Sequence, residues 1–204
     1  MSPTDLLHNM QFFIVAGHET TALALSWALY LLATHPEIQA RASEEARSAI
    51  QGKAATEQEL ASAPYVEQIL QETMRLYPPV GFLGRDAAGD DILGGREVRK
   101  GETIFLATYA MHRHEMWWDE PNAYDPDNFA PQAVADRHKY LHLPFGAGPR
   151  ICVGANFAMM QAHIILTTLL ANYRFSLADR PSPYPVMTMT VRPEGGVWLH
   201  AHPI

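Results

Sequence analysis

Phe145-Gly146-Ala147-Gly148-Pro149-Arg150-Ile151-Cys152-Val153-Gly154 is the stretch that decides how this chain folds. Cys152 is the only cysteine in 204 residues. It cannot form an internal disulfide, so the reactivity of its thiol becomes the question. The residues that follow, Ala155 to Asn172, read as an apolar helix. Cys152 therefore lies just ahead of a helix N-terminus, where backbone amides and the helix dipole favour an anion. Arg150 adds a positive charge two residues away. Both features favour the thiolate, which is the form that binds a metal. The glycines let backbone approach a flat ligand closely and turn N–H groups toward the sulfur. A buried structural cysteine in a glycine-rich turn is the plain alternative, and the spacing argues against it.

Upstream of this loop, Pro121 to Gly154 is a long stretch punctuated by prolines and glycines. Such stretches are functional or disordered, and its aromatics (Tyr124, Phe129, Tyr140 and Phe145) predict an ordered one. Earlier still, Ile92 to Val98 reads as a hairpin around Gly94-Gly95, and Thr103 to Leu106 as a strand. The N-terminal third predicts helices. Ser2 is an N-cap with Pro3 at the first helical position and Asp5 facing the dipole. That first helix runs to about Thr34, where Pro36 stops it. Pro36 to about Gly52 makes a second helix, Thr56 with Glu59 a capping box for a short third, and Tyr65 to Leu76 a fourth. Beyond Asn172, short strands are expected at Arg174–Leu177, Val186–Val191 and Gly196–His200. The fold class is mainly α with small β-sheets, and no repeat or low-complexity tract interrupts it.

The cysteine loop resembles the F-x-x-G-x-R-x-C-x-G signature of the cytochrome P-450 haem-thiolate monooxygenases. Phe145, Gly148, Arg150, Cys152 and Gly154 match it without exception. The resemblance implies haem b (iron protoporphyrin IX), with Cys152 as its iron ligand, Arg150 on a haem propionate and Phe145 packed beside the sulfur. Two more motifs occur in the family's order. Glu72-Thr73-Met74-Arg75 resembles its E-x-x-R, a buried structural pair there, although by spacing alone it reads as a surface ion pair on one helix face. Asn128 in Pro126-Asp127-Asn128-Phe129 stands where the family usually has an arginine that completes this network. The departure is expected to weaken it, with Arg137 or His138 as candidate replacements. Ala16-Gly17-His18-Glu19-Thr20-Thr21 resembles the oxygen-activation segment. By that likeness Thr20 hydrogen-bonds dioxygen, Glu19 relays protons, Gly17 leaves room above the haem and Ala16 lines the substrate side. Read without the likeness, the same polar residues mark a helix kink where a hydroxyl bonds the preceding turn. Arg85 sits where a second propionate-binding arginine is often found.

The likeness covers residues 1–204 as a partial domain, the C-terminal portion of the P-450 fold, with the N-terminal half expected to be absent. It implies a small organic substrate and a ferredoxin or reductase as electron donor, since no GxGxxG-type flavin or nicotinamide motif is present. The non-enzyme alternative is a truncated fragment that binds haem or a partner without turnover. Bulk properties are consistent with these readings. A net charge of −7 argues against nucleic acid. The lone thiol and the lack of a leader-like segment make a cytoplasmic setting the expectation, with a membrane anchor elsewhere left open. The apolar run Met10–Ala33 is long enough to raise the membrane question, but the acid at its centre makes a buried helix the better reading. The ten histidines lack HExxH or CxxC spacing and read as scattered surface residues, not a zinc site.

Overall fold

The computed structural model describes all residues from Met1 to Ile204. Helix α1 (Pro3–Thr34) opens on a reciprocal cap: Ser2 Oγ accepts the Asp5 amide at 3.1 Å, and Asp5 Oδ2 accepts the Ser2 amide at 2.8 Å. Asp5 thus acts through hydrogen bonds as well as through the dipole. Helix α2 (Pro36–Ile50) follows after one residue, and α3 (Glu57–Leu60) starts on the Thr56–Glu59 capping box. Helix α4 spans Pro64–Leu76. A ladder of β1 (Leu83–Asp86) with β4 (Thr103–Leu106) encloses the hairpin of β2 (Asp91–Leu93) and β3 (Arg96–Val98). After the short α5 (Thr108–Met111), the long irregular stretch holds one turn of tight helix at Pro126–Phe129, then α6 (Pro131–Asp136), and leads into the cysteine loop. Helix α7 (Ala155–Asn172) follows, and two antiparallel pairs end the chain: β5 (Tyr173–Leu177) with β8 (Leu199–Pro203), and β6 (Tyr184–Met187) with β7 (Val191–Glu194).

The core forms where α1, α2, α4 and α7 meet. Ala28, Leu31 and Leu32 of α1 pack with Ala42 and Ala46, with Val66, Ile69 and Leu70, and with Leu166 and Leu170. Burying side chains of this size stabilises by about 1.5–3 kcal/mol each for the larger ones. Gln39 is a buried polar tie: its amide nitrogen donates to Leu32 O and Phe175 O, and its oxygen accepts the Phe175 amide at 2.6 Å. It pins β5 to the junction of α1 and α2. Trp27 stacks on Tyr77 with ring centroids 3.9 Å apart, and its indole donates to Val191 O at 3.1 Å.

Three expectations change. The single strand expected at Val186–Val191 is a hairpin, β6 turning into β7, closed by the Thr188 amide on Thr190 O. Its Met-Thr-Met-Thr turn carries no glycine or proline to announce it. Strand β1 was not anticipated, because Leu-Gly-Arg-Asp lacks the β-branched residues that signal a strand. The buried-helix reading of α1 holds only for its C-terminal half. Every residue from Met1 to His18 is exposed, and Phe12, Phe13, Ile14 and Val15 are 58–73% exposed. By length and composition α1 could cross a membrane, yet Trp27, Ala28 and Leu32 within it are fully buried in protein.

Candidate active site

The cysteine loop is a sequence of tight turns. Gly146 and Gly148 both take left-handed backbone, at φ +72° and +70°, where a side chain would be strained. Gly148–Arg150 then makes a single tight helical turn. The Cys152 amide donates back to Phe145 O at 2.9 Å, which closes the loop, and the Ala155 amide donates to Cys152 O at 3.3 Å. Gly154 caps α7 directly after. The thiol is exposed. A Cβ on Gly154 would lie 4.0 Å from Cys152 Sγ. A Cβ on Gly146 would lie 3.5 Å from Leu83 Cδ1, so the loop abuts β1, the strand that carries Arg85.

Neither Arg85 nor Arg150 belongs to any of the three ion pairs in the molecule. Arg85 only donates to its neighbour's carbonyl, Gly84 O, at 2.7 Å. Around them Phe105, Ile151, Val153 and Phe157 are 56–81% exposed. A soft sulfur donor, two unpaired guanidiniums and exposed apolar side chains match what haem presents: an iron, two carboxylates and an apolar macrocycle. The donor set fits the group.

The Ala16–Thr21 segment lies on α1. Thr20 Oγ1 donates to Ala16 O at 2.8 Å, the back-bond to the preceding turn that the plain reading expected. Gly17 faces open space, with no atom within 4 Å of a Cβ built there. No hydrogen bond or ion pair joins this segment to the cysteine loop. Each is supported from a different side.

Support for the loop comes from α4. Glu72 and Arg75 are fully buried, paired through two hydrogen bonds of 2.7 and 2.8 Å, so the surface-pair reading is overturned. Arg75 also donates to His112 O, Pro121 O and Ala123 O at 2.7–2.9 Å. Every one of its five N–H donors is used. Glu72 Oε1 accepts from the Asp125 amide and from Asn128 Nδ2 at 3.1 Å. Asn128 therefore joins the network directly, and the expected weakening does not occur through a missing partner. Arg137 supports it second-hand, donating to Asn128 O and lying over the Phe129 ring. His138 takes no part. Burial pushes the Glu72 carboxyl up, against the pull of Arg75.

His112 was expected on the surface and is instead fully buried; His163 is buried too. The His112 ring stands 5.1 Å from that of His142, and its Nε2 accepts the Leu143 amide at 2.9 Å, two residues before Phe145. This links Arg75 through His112 to the start of the cysteine loop. No group of three or more histidine, cysteine or acidic side chains is placed to hold a metal ion. Burial lowers the His112 pKa from 6.5 to about 4 and, with the neighbouring His112, holds His142 well below 6.5. A histidine depressed in the folded state takes up protons on unfolding. Stability from His112 is thus complete above pH 6.5 and lost as pH falls toward about 4. Over that window urea denaturation should show a loss of about 3 kcal/mol, and His112→Gln should flatten it. An unchanged pH dependence in that variant would contradict the assignment.

Known proteins resemble this chain along its whole length. The cytochrome P450 family profile matches residues 1–200. Cytochrome P-450 4F4 of Rattus norvegicus is 36% identical over 208 residues, covering 100% of this chain and 40% of the relative. Leukotriene-B4 omega-hydroxylase 3 of Mus musculus is 35% identical with the same coverage. Cytochrome P-450 4c3 of Drosophila melanogaster is 33% identical over 207 residues, covering 39% of its length. The chain thus spans about two fifths of the length of these relatives. It belongs to the cytochrome P-450 family.

Proposed function

We propose that this chain carries the iron-ligand loop and the proton-relay helix of a haem-thiolate monooxygenase that inserts one oxygen atom of dioxygen into an organic substrate. The observation that carries the reading is the exposed Cys152 thiol on a loop held by two left-handed glycines, with Arg85 and Arg150 unpaired nearby. Bound haem would supply the iron at which dioxygen is activated. Cys152 would ligate that iron, and Phe145, Gly148 and Gly154 shape the loop around the sulfur. Arg150 and Arg85 would bind the propionates, and Gly17 would leave the flank of α1 clear for the group. Thr20 and Glu19 would pass protons to the oxygen side, as general acids.

A ferredoxin or reductase would supply electrons. A recess of about 460 Å³ beside the loop is lined by Arg137, His138 and Lys139 as well as Phe145 and Ile151, and suits an acidic docking partner. The substrate is a small organic molecule; the relative named as a leukotriene-B4 omega-hydroxylase makes lipid chains the first class to screen. The exposed apolar half of α1 supports the reading that further P-450 sequence, an N-terminal half, covers it in the working enzyme. The same surface supports the second reading, a non-catalytic fragment that binds a partner. A cytoplasmic, reducing setting suits the free thiol.

Thr20→Ala tests the proton-relay part of the monooxygenase reading. In the haem-loaded protein that carries this chain, loss of the hydroxyl should misdirect protons and raise peroxide released per electron consumed, with haem content unchanged. Unchanged coupling would reduce Thr20 to its back-bond on Ala16.

A further inference from the structure

Glu19 precedes Thr20 on α1, and its carboxylate is held from near the other end of the chain. Arg192 Nη2 stands 2.6 Å from Glu19 Oε1. Thr190 Oγ1 donates to that same oxygen at 3.2 Å, and Arg192 Nε donates to Thr190 Oγ1 at 3.0 Å. The three side chains close a ring. Both contacts to Glu19, the Thr190 hydrogen bond and the Arg192 ion pair, fall on Oε1; Oε2 takes neither.

The ring stands on a firm base. Thr190, the last residue of the turn, and Arg192, the second residue of β7, flank Val191 and meet each other through the Arg192 Nε bond to Thr190 Oγ1. Val191 is fully buried. Its carbonyl accepts from the Trp27 indole, and its amide donates to Pro79 O at 3.0 Å. Thr190 is itself buried, at 6% exposure. Its single hydroxyl hydrogen goes to Glu19 while a lone pair takes the arginine, so its rotation is fixed.

We infer that Arg192 and Thr190 are positioning residues for Glu19: they clamp Oε1 and leave Oε2 as the oxygen that takes up and hands on protons beside Thr20. The inference rests on the proposed proton-relay role of Glu19. Arg192 and Glu19 side chains are 56% and 40% exposed, so the pair contributes little to fold stability. Its effect is on geometry. Without the clamp, a glutamate side chain on an exposed stretch of helix swings among rotamers, and only some of them face Thr20. An orientation bias of this strength changes a population by roughly fivefold.

The test uses the haem-loaded protein with R192Q, R192K, E19Q and the double variant E19Q/R192Q. Two quantities are read: peroxide released per electron, and amide hydrogen exchange at residues 17–21, the latter with and without haem. R192Q should raise peroxide release by roughly fivefold and leave amide exchange at residues 17–21 little changed, while haem content and the thiolate spectrum stay as they are. R192K should recover most of the loss, since it keeps a cation within reach of Oε1. Adding R192Q to E19Q should change nothing further in peroxide yield. If E19Q uncouples and R192Q does not, or if the two effects add, the clamp is refuted and the relay role stands. If E19Q itself leaves coupling intact, the relay reading fails and the clamp falls with it.

Discussion

Arg75→Ala should destabilise the protein by about 3–5 kcal/mol, the range for breaking a buried ion pair by removing one partner. The reason is specific to this site. Glu72 keeps its place with no exposure to water, and the variant leaves its charge uncompensated. Three carbonyls, those of His112, Pro121 and Ala123, lose their donor in the same step. Against a typical domain stability of about 5–15 kcal/mol, that is enough to leave a large unfolded fraction. Arg75→Lys should recover little. An ammonium has three donors and no planar fork, whereas Arg75 uses five. Because the lost bonds lie along the path from α4 to residues 121–129, the cysteine loop should loosen before the core does. Urea denaturation gives the stability change, and amide exchange at residues 143–152 gives the local effect. A loss below about 1 kcal/mol would mean that the pair is no more than a surface bridge in energetic terms.

Cys152→Ser has the largest expected functional effect: turnover should fall to background. Serine is close to cysteine in volume. The loop is closed by the Cys152 backbone amide on Phe145 O and not by the side chain, so the fold should persist and circular dichroism should be unchanged. What disappears is the soft donor. A hydroxyl is a poor iron ligand at neutral pH and donates less electron density than a thiolate. The exposed thiol has no competing structural role, because no disulfide uses it. Product formation with an added electron donor is the measurement, and retention of wild-type turnover would move the ligand elsewhere.

The parts of this protein that can be read from sequence are those whose cause is local. The Ser2 and Thr56 caps, the Gly94-Gly95 hairpin and the proline-bounded helices all follow from residues within a few positions of one another. The cysteine loop is legible for the same reason, since glycine spacing, arginine and thiol lie within ten residues. What the sequence hides is pairing over distance. Glu19 and Thr190 are 171 residues apart, and nothing near either one announces the other. Asn128 looks like a defect when compared with an expected arginine. In the fold its amide reaches Glu72 because the turn at Pro126–Phe129 brings it within 3.1 Å. His112 is polar in a region of charged residues, and only the packing of α4 against residues 112–142 makes it buried. Thr190 and Arg192 carry a weak signal, as polar groups between Met189, Val191 and Pro193, but that signal names no partner.

The central claim is that Cys152 ligates haem iron as a thiolate. The most direct measurement is the absorption spectrum of the reduced carbon-monoxide complex of the haem-loaded protein that carries this chain, recorded beside the Cys152→Ser variant. The account predicts the red-shifted Soret band of thiolate ligation in the wild type and its loss in the variant. The same red-shifted band in Cys152→Ser would contradict it.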